Sequence, residues 1–273
     1  MMKKSLASLA TLTLALLIAP GTPGAAAARA GQTGVFRDIF TAPLAADEVA
    51  FVFLGYSAVI VRTVKGALII DPAALLLEED MAAFRGKTID AVLYTHGHGD
   101  HFAYDTAVGL AKATGAAVGG EGEIIRALRK GGEIAPGKIV DFGAGRPQRI
   151  GPWTVTPVRG LHVGPIVLYS LGAGGIDIFH GGDSAYVPLG DLAAGLAFLP
   201  AGQPSPTASP DGALKMAQDL KPRVVVAIHG SDAELRELSK KIKSALPGTE
   251  VIIPETLKIY TVKVRASGAC LPE

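Results

Sequence analysis

Thr95-His96-Gly97-His98-Gly99-Asp100-His101 is the stretch from which the rest of the chain can be read. It follows an apolar run over 89–94 and precedes an alanine-rich segment with helical spacing. Three of the chain's six histidines fall inside it. Side chains alternate across a strand with period two, so a strand ending here delivers His96 and His98 to one side of the backbone, where they can hold one ion together. Asp100 and His101 sit where the chain turns into the next helix and can address a second position close by. Imidazoles and a carboxylate, with no thiolate, are the ligand chemistry of zinc, manganese or iron.

Upstream, residues 49–54 read as a buried strand. Residues 57–64 and 67–70 form an expected hairpin around Lys65-Gly66, closed by Asp71-Pro72. A helix is expected over 75–85, the strand feeding the histidine loop over 88–94, and a helix over 102–114 stopped by Gly115. After a short strand at 116–118, residues 121–130 carry acids in the first turn and bases in the last, which complements a helix dipole.

The second half starts near Lys138. Strands are expected over 138–142, 148–150 and 153–159, the last running into His162, then a hairpin of 166–171 with 176–179 running into His180-Gly181-Gly182-Asp183-Ser184. Apolar strands over 196–199, 224–228 and 251–253 alternate with helices over 211–220 and 232–245, and a final strand covers 258–264. Strand pairs followed by alternating strands and helices, twice over, predict an α+β fold with two sheets face to face and helices outside.

With 273 residues and 49% hydrophobic content, the chain can bury one large core or two moderate ones. The formal charge of +1 gives no nucleic-acid footprint. Met1-Met2-Lys3-Lys4 is a basic start, residues 6–19 are apolar, and 20–30 are rich in Gly, Pro and Ala. That order reads as a cleavable secretory signal, with Ala26-Ala27-Ala28 or Ala28-Arg29-Ala30 as cleavage candidates. The apolar run is shorter than the ~20 residues of a membrane span, so no stable membrane anchor is expected after cleavage. The mature protein is expected in the periplasm or outside the cell. Cys270 is the only cysteine, which leaves an exported chain without an internal disulfide. The expected organisation is a signal over 1–30, an irregular lead over 31–47, one domain over 48–266 and a tail over 267–273.

The run His-x-His-x-Asp-His after a buried strand resembles the signature of the metallo-β-lactamase superfamily of metal-dependent hydrolases. The resemblance implies that superfamily's fold, a four-layer αββα sandwich of two mixed β-sheets. It also implies that His162 completes a first ion's trio with His96 and His98. His229 joins Asp100 and His101 on a second ion, Asp183 bridges the two, and Asp71 supports the histidine loop from beneath. His180 is left over as a supporting or structural residue. The implied cofactors are two divalent ions, zinc first, with manganese or iron as alternatives. The implied activity is attack of metal-bound hydroxide on an ester, lactone, amide or phosphodiester of a small-molecule substrate, with Asp100 orienting the nucleophile.

Within the superfamily the chain is similar to the branch of ascorbate-6-phosphate lactonase over 55–72, 95–101, 178–184 and 220–229. It departs from that branch at Tyr56, where a histidine is usual, in the loop 203–210, and in its signal. Three other readings compete. A β-lactam hydrolase fits export, but lactam-cleaving relatives generally lack a bridging carboxylate at the place of Asp183. An exported metal-binding protein without turnover would keep the same ligands. A di-iron oxidoreductase would carry glutamate at the place of His98 and a flavin domain, and the chain has neither. Substrate, native metal and oligomeric state stay open at this level.

Overall fold

A computed structural model describes residues 34–143 and 145–264. The expected signal over 1–30, its cleavage positions and the tail 267–273 with Cys270 lie outside the described residues. Two seven-stranded sheets are formed. The first has the order β14 (Ile259–Lys263), β1 (Glu48–Gly55), β2 (Ala58–Arg62), β3 (Ala67–Ile70), β4 (Ala91–Leu93), β5 (Ala117–Gly120), β6 (Ile139–Asp141), and the second β13 (Glu250–Ile252), β12 (Val224–Ile228), β11 (Leu196–Pro200), β10 (Ile176–His180), β9 (Val167–Ala173), β8 (Trp153–Arg159), β7 (Gln148–Ile150).

The apolar alternation of single strands explains how these sheets stack. In β1 (Glu48–Gly55), Val49 and Phe51 enter the core between the sheets, while Ala50 and Val52 enter a second core on the outer face. In β12 (Val224–Ile228), Val224, Val226 and Ile228 join the central core, while Val225 and Ala227 enter a third one. Strands buried on both faces read as continuous apolar runs, which is what the sequence shows at both places. The outer core of the first sheet is closed by α1 (Glu78–Phe84), α2 (Tyr104–Thr114) and α3 (Gly122–Gly131). That of the second is closed by α4 (Pro210–Leu220) and α5 (Asp232–Ala245). The result is the four-layer αββα sandwich. Trp153, fully buried, ties the sheets together, because its indole N–H donates to Asp90 Oδ2 at 3.0 Å, the oxygen that also accepts from Ala67 N–H.

The lead before β1, expected to be irregular, contains a helical turn at residues 34–38. Phe36 and Ile39 are buried there, with the Phe36 ring 5.2 Å from that of Phe84, so apolar contact with the sandwich orders a segment whose composition reads as a loop. Helix α1 starts three residues later than expected, where Asp80 Oδ2 accepts the Leu77 N–H. Helix α2 starts at Tyr104 rather than at residue 102. The preceding N–H groups of His101 and Phe102 both turn back onto the carbonyl of His98, at 3.0 and 2.8 Å, which closes the histidine loop before helix begins.

Direction decides where the loops gather. Strands β3 (Ala67–Ile70) and β4 (Ala91–Leu93) are parallel, as are β10 (Ile176–His180), β11 (Leu196–Pro200) and β12. Strand β8 (Trp153–Arg159) is antiparallel to β9 (Val167–Ala173), and β9 to β10, so β8 runs with β10. The segments after β3, β4, β8, β10, β11 and β12 therefore emerge at one end of the sandwich. They carry, in turn, Asp71, the histidine loop, His162, Asp183, the loop 201–209 and His229.

Candidate metal centre

At that end, side chains distant in sequence meet. His96, His98 and His162 bring one ligand atom each within 4.8 Å of one another, and so do Asp100, His101 and His229. A third such group, His96, His101 and Asp183, links the two trios. Asp183 is central: its Oδ2 lies 3.4 Å from His162 Nε2, 3.8 Å from His101 Nε2 and 3.9 Å from His229 Nε2, and its Oδ1 lies 3.7 Å from His96 Nε2. Asp100 Oδ2 lies 3.4 Å from His229 Nε2.

The rings are held from behind. Asp71, fully buried, accepts from the Thr95 N–H and hydroxyl, both at 2.7 Å, and from His101 Nδ1 at 2.8 Å. With its proton given to Asp71, the Thr95 hydroxyl oxygen faces His96 Nδ1 at 3.2 Å as an acceptor. His229 Nδ1 faces the Gly202 carbonyl at 3.2 Å. His162 Nδ1 lies 2.8 Å from Thr207 Oγ1, and that hydroxyl donates onward to the Asp183 carbonyl at 3.3 Å, as Ser205 does at 2.7 Å. Each of these four imidazoles thus has its Nδ1–H committed outward, which fixes the tautomer and leaves the Nε2 lone pair facing the shared space. His98 presents the opposite nitrogen, Nδ1, 3.2 Å from His162 Nε2.

These inward atoms lack protein partners. Among the described residues, His96 Nε2, His101 Nε2, His229 Nε2 and Asp183 Oδ1 are buried with no hydrogen bond. A native interior leaves few such groups, because each costs about 1–3 kcal/mol. Four converging on one space, all of them good cation ligands, fit bound divalent metal. Electrostatics point the same way at His96 and His162. Burial, with the neighbouring His101 charge, pushes His96 down to about 4, so its lone pair is available at neutral pH. Burial also lowers His162. Burial alone would lower His101 too, but the Asp71 carboxylate overrides it and raises that ring. The close approach of His229, with His101 nearby, holds Asp100 below the usual carboxylate range.

His180 lies outside the cluster. Its Nε2 donates to the Ser57 carbonyl at 2.8 Å and its Nδ1 accepts the Gly182 N–H at 3.2 Å, so it stitches β10 to the turn before β2. Backbone conformation is unusual around the centre. Tyr56, Asp71, Ala73 and His229 all have φ between 45° and 49°, a region that side chains other than Gly seldom occupy. The Tyr56 carbonyl accepts the His229 N–H at 3.0 Å, and its exposed ring lies 6.0 Å from that of His229 at the mouth of the site.

No residue of the loop 203–210 was among the expected site residues, and neither was Thr95. The position of Thr95 directly before His96 was a usable signal. Nothing local distinguishes Thr207 from any other loop threonine.

Residues 67–230, which hold all seven candidate ligands, match the beta-lactamase superfamily domain. A UPF0173 metal-dependent hydrolase of Thermus thermophilus is 32% identical over 65% of this chain and 81% of its own length. Another, from Staphylothermus marinus, is 28% identical over 77% of this chain and 97% of its own. Among solved structures, Igni18, a metallo hydrolase from Ignicoccus hospitalis, superposes with a TM-score of 0.67 at 23% identity, covering 80% of this chain and 100% of that one.

Proposed function

Since the chain belongs to the beta-lactamase superfamily and is a metal-dependent hydrolase, we propose that it binds two divalent ions and cleaves an ester, lactone, amide or phosphodiester bond of a small molecule. The observation that carries the two-ion reading is the set of four buried, unpartnered ligand atoms lying between two trios of donors. His96, His98 and His162 would hold one ion, Asp100, His101 and His229 the other, with Asp183 shared. When bound, such ions polarise the scissile group and lower the pKa of water toward neutrality.

The protein's own groups supply the rest. Asp100 is the more exposed of the two carboxylates in the cluster and stays ionised, so it acts as a fixed acceptor that orients the attacking water. Asp183, almost fully buried, serves as anchor. Asp71, Thr95, Thr207 and the Gly202 carbonyl keep four imidazoles in one tautomer. Zinc is the first choice of metal, with manganese and iron as alternatives, because all seven donors are nitrogen or oxygen. The basic, apolar and small-residue order of 1–30 supports export to the periplasm or beyond.

The test is metal content and turnover of the protein reconstituted in turn with Zn²⁺, Mn²⁺ and Fe²⁺, on model esters, lactones, phosphodiesters and nitrocefin. Two ions per chain are expected, and at least one substrate class whose hydrolysis His98→Ala reduces by orders of magnitude. Protein without stoichiometric metal, or hydrolysis indifferent to His98→Ala, would refute the proposal. Cleavage of nitrocefin in preference to the other substrates would move the reading to β-lactam hydrolysis.

A further inference from the structure

A cavity of about 610 Å³ opens beside the metal centre, with His162 in its wall. That size suits a small molecule. Phe142, Pro157 and Ile166 give it an apolar lining, and two charged side chains, Arg159 and Glu121, face it. Arg159 is the last residue of β8, three positions before His162, so the strand that delivers a candidate ligand also delivers a guanidinium at a fixed offset from it. Among the described residues, Arg159 makes no hydrogen bond and no ion pair within 4.0 Å. Glu121 acts on Arg159 only through space. The planar fork of Arg159 is thus free for two-point contact with an oxyanion. Leu161 and Val163, on either side of His162, are 57% and 60% exposed, which makes the rim between cavity and metal cluster apolar.

Resting on the hydrolase reading above, we infer that this cavity is a substrate subsite in which Arg159 binds a carboxylate or phosphate group, joined by an apolar spacer to the bond that is cleaved. The substrate class is an anionic, amphipathic small molecule. Glu121 sets a second condition: it repels an anion that is misplaced in the cavity, so the charge must sit on the Arg159 side. Burial raises the Glu121 carboxyl, with the nearby Asp141 adding to it, which tempers that repulsion.

The experiment compares mono-4-nitrophenyl glutarate with its methyl-capped, neutral diester on zinc-loaded protein. Wild type is expected to prefer the anionic ester in kcat/KM by about tenfold or more, Arg159→Gln to bring that ratio below about threefold, and Arg159→Lys to retain part of it. Metal content of the variants, measured alongside, should match wild type, since the guanidinium touches no candidate ligand. Ligand-observed NMR with 4-phenylbutyrate, 3-phenylpropyl phosphate and neutral 4-phenylbutanamide gives the same ratio as affinities and tells carboxylate from phosphate. A wild-type ratio near one, or a preference undiminished in Arg159→Gln, overturns the subsite and leaves the hydrolase reading standing. Hydrolysis of neither ester counts against ester cleavage, and the NMR ratios then decide the subsite alone.

Discussion

Asp71→Asn isolates the role of a buried residue that touches no metal. Asn has nearly the volume of Asp and tolerates the left-handed backbone at this position, where φ is 49°, so packing and chain path should persist. The chemistry changes at one atom. Asp71 Oδ2 now accepts from both the Thr95 hydroxyl and His101 Nδ1, at 2.7 and 2.8 Å. With the amide carbonyl kept at Oδ1 for the Thr95 N–H, the amide nitrogen replaces Oδ2 and meets His101 Nδ1–H donor to donor. Relief requires the imidazole to move its proton to Nε2, the atom that otherwise faces Asp183 and Asp100. A protonated Nε2 offers no lone pair to a cation. Losing such a support lowers metal affinity by roughly 10–100-fold, equivalent to about 1.4–2.7 kcal/mol. Competition with a chromophoric chelator should show the larger weakening at the ion held by Asp100, His101 and His229, and a smaller one at the trio of His96, His98 and His162, where only the Thr95 hydroxyl beside His96 loses its acceptor. Circular dichroism of the metal-free variant controls for folding. Two wild-type affinities in a folded Asp71→Asn protein would refute the assignment of tautomer by Asp71.

Three further outcomes follow from the same geometry. Thr207→Val removes the partner of His162 Nδ1 without changing side-chain volume much, so metal affinity should fall roughly 10-fold or more, with Thr207→Ser restoring it, as read by the same chelator competition. Asp90→Ala strands the Trp153 indole N–H and the Ala67 N–H between the sheets, and urea unfolding should show about 2–5 kcal/mol lost. In metal-free protein, burial holds His96, His162 and His180 below the ordinary imidazole value, so the unfolded chain takes up protons near pH ~6.5 that the native state refuses, and stability falls as pH drops through that value. His101, raised by Asp71, works in the opposite sense: its contribution is present below pH ~6.5 and lost as pH rises through its folded value. Three groups against one predict a lower urea midpoint at pH 5.5 than at pH 7.5.

Features in which pattern and position coincide were legible in the chain alone. Continuous apolar runs such as 49–54 and 224–228 specify strands buried on both faces, because two-sided burial leaves no polar position along them. The heptapeptide Thr95 to His101 carries four donors on one turn, and their chemistry is readable without coordinates. Resemblance then nominated His162, Asp183 and His229, each an ordinary strand-end residue taken alone. Tertiary structure decided what depends on parallel strand ends meeting at one edge. It placed Thr207 behind His162, closed the lead at 34–38 onto Phe84, and put the Arg159 guanidinium in a cavity beside the candidate ligands. These relations join residues from separate loops through strand direction and sheet order, and hydrogen-bonded or apolar contact of that kind leaves no periodic trace in the chain.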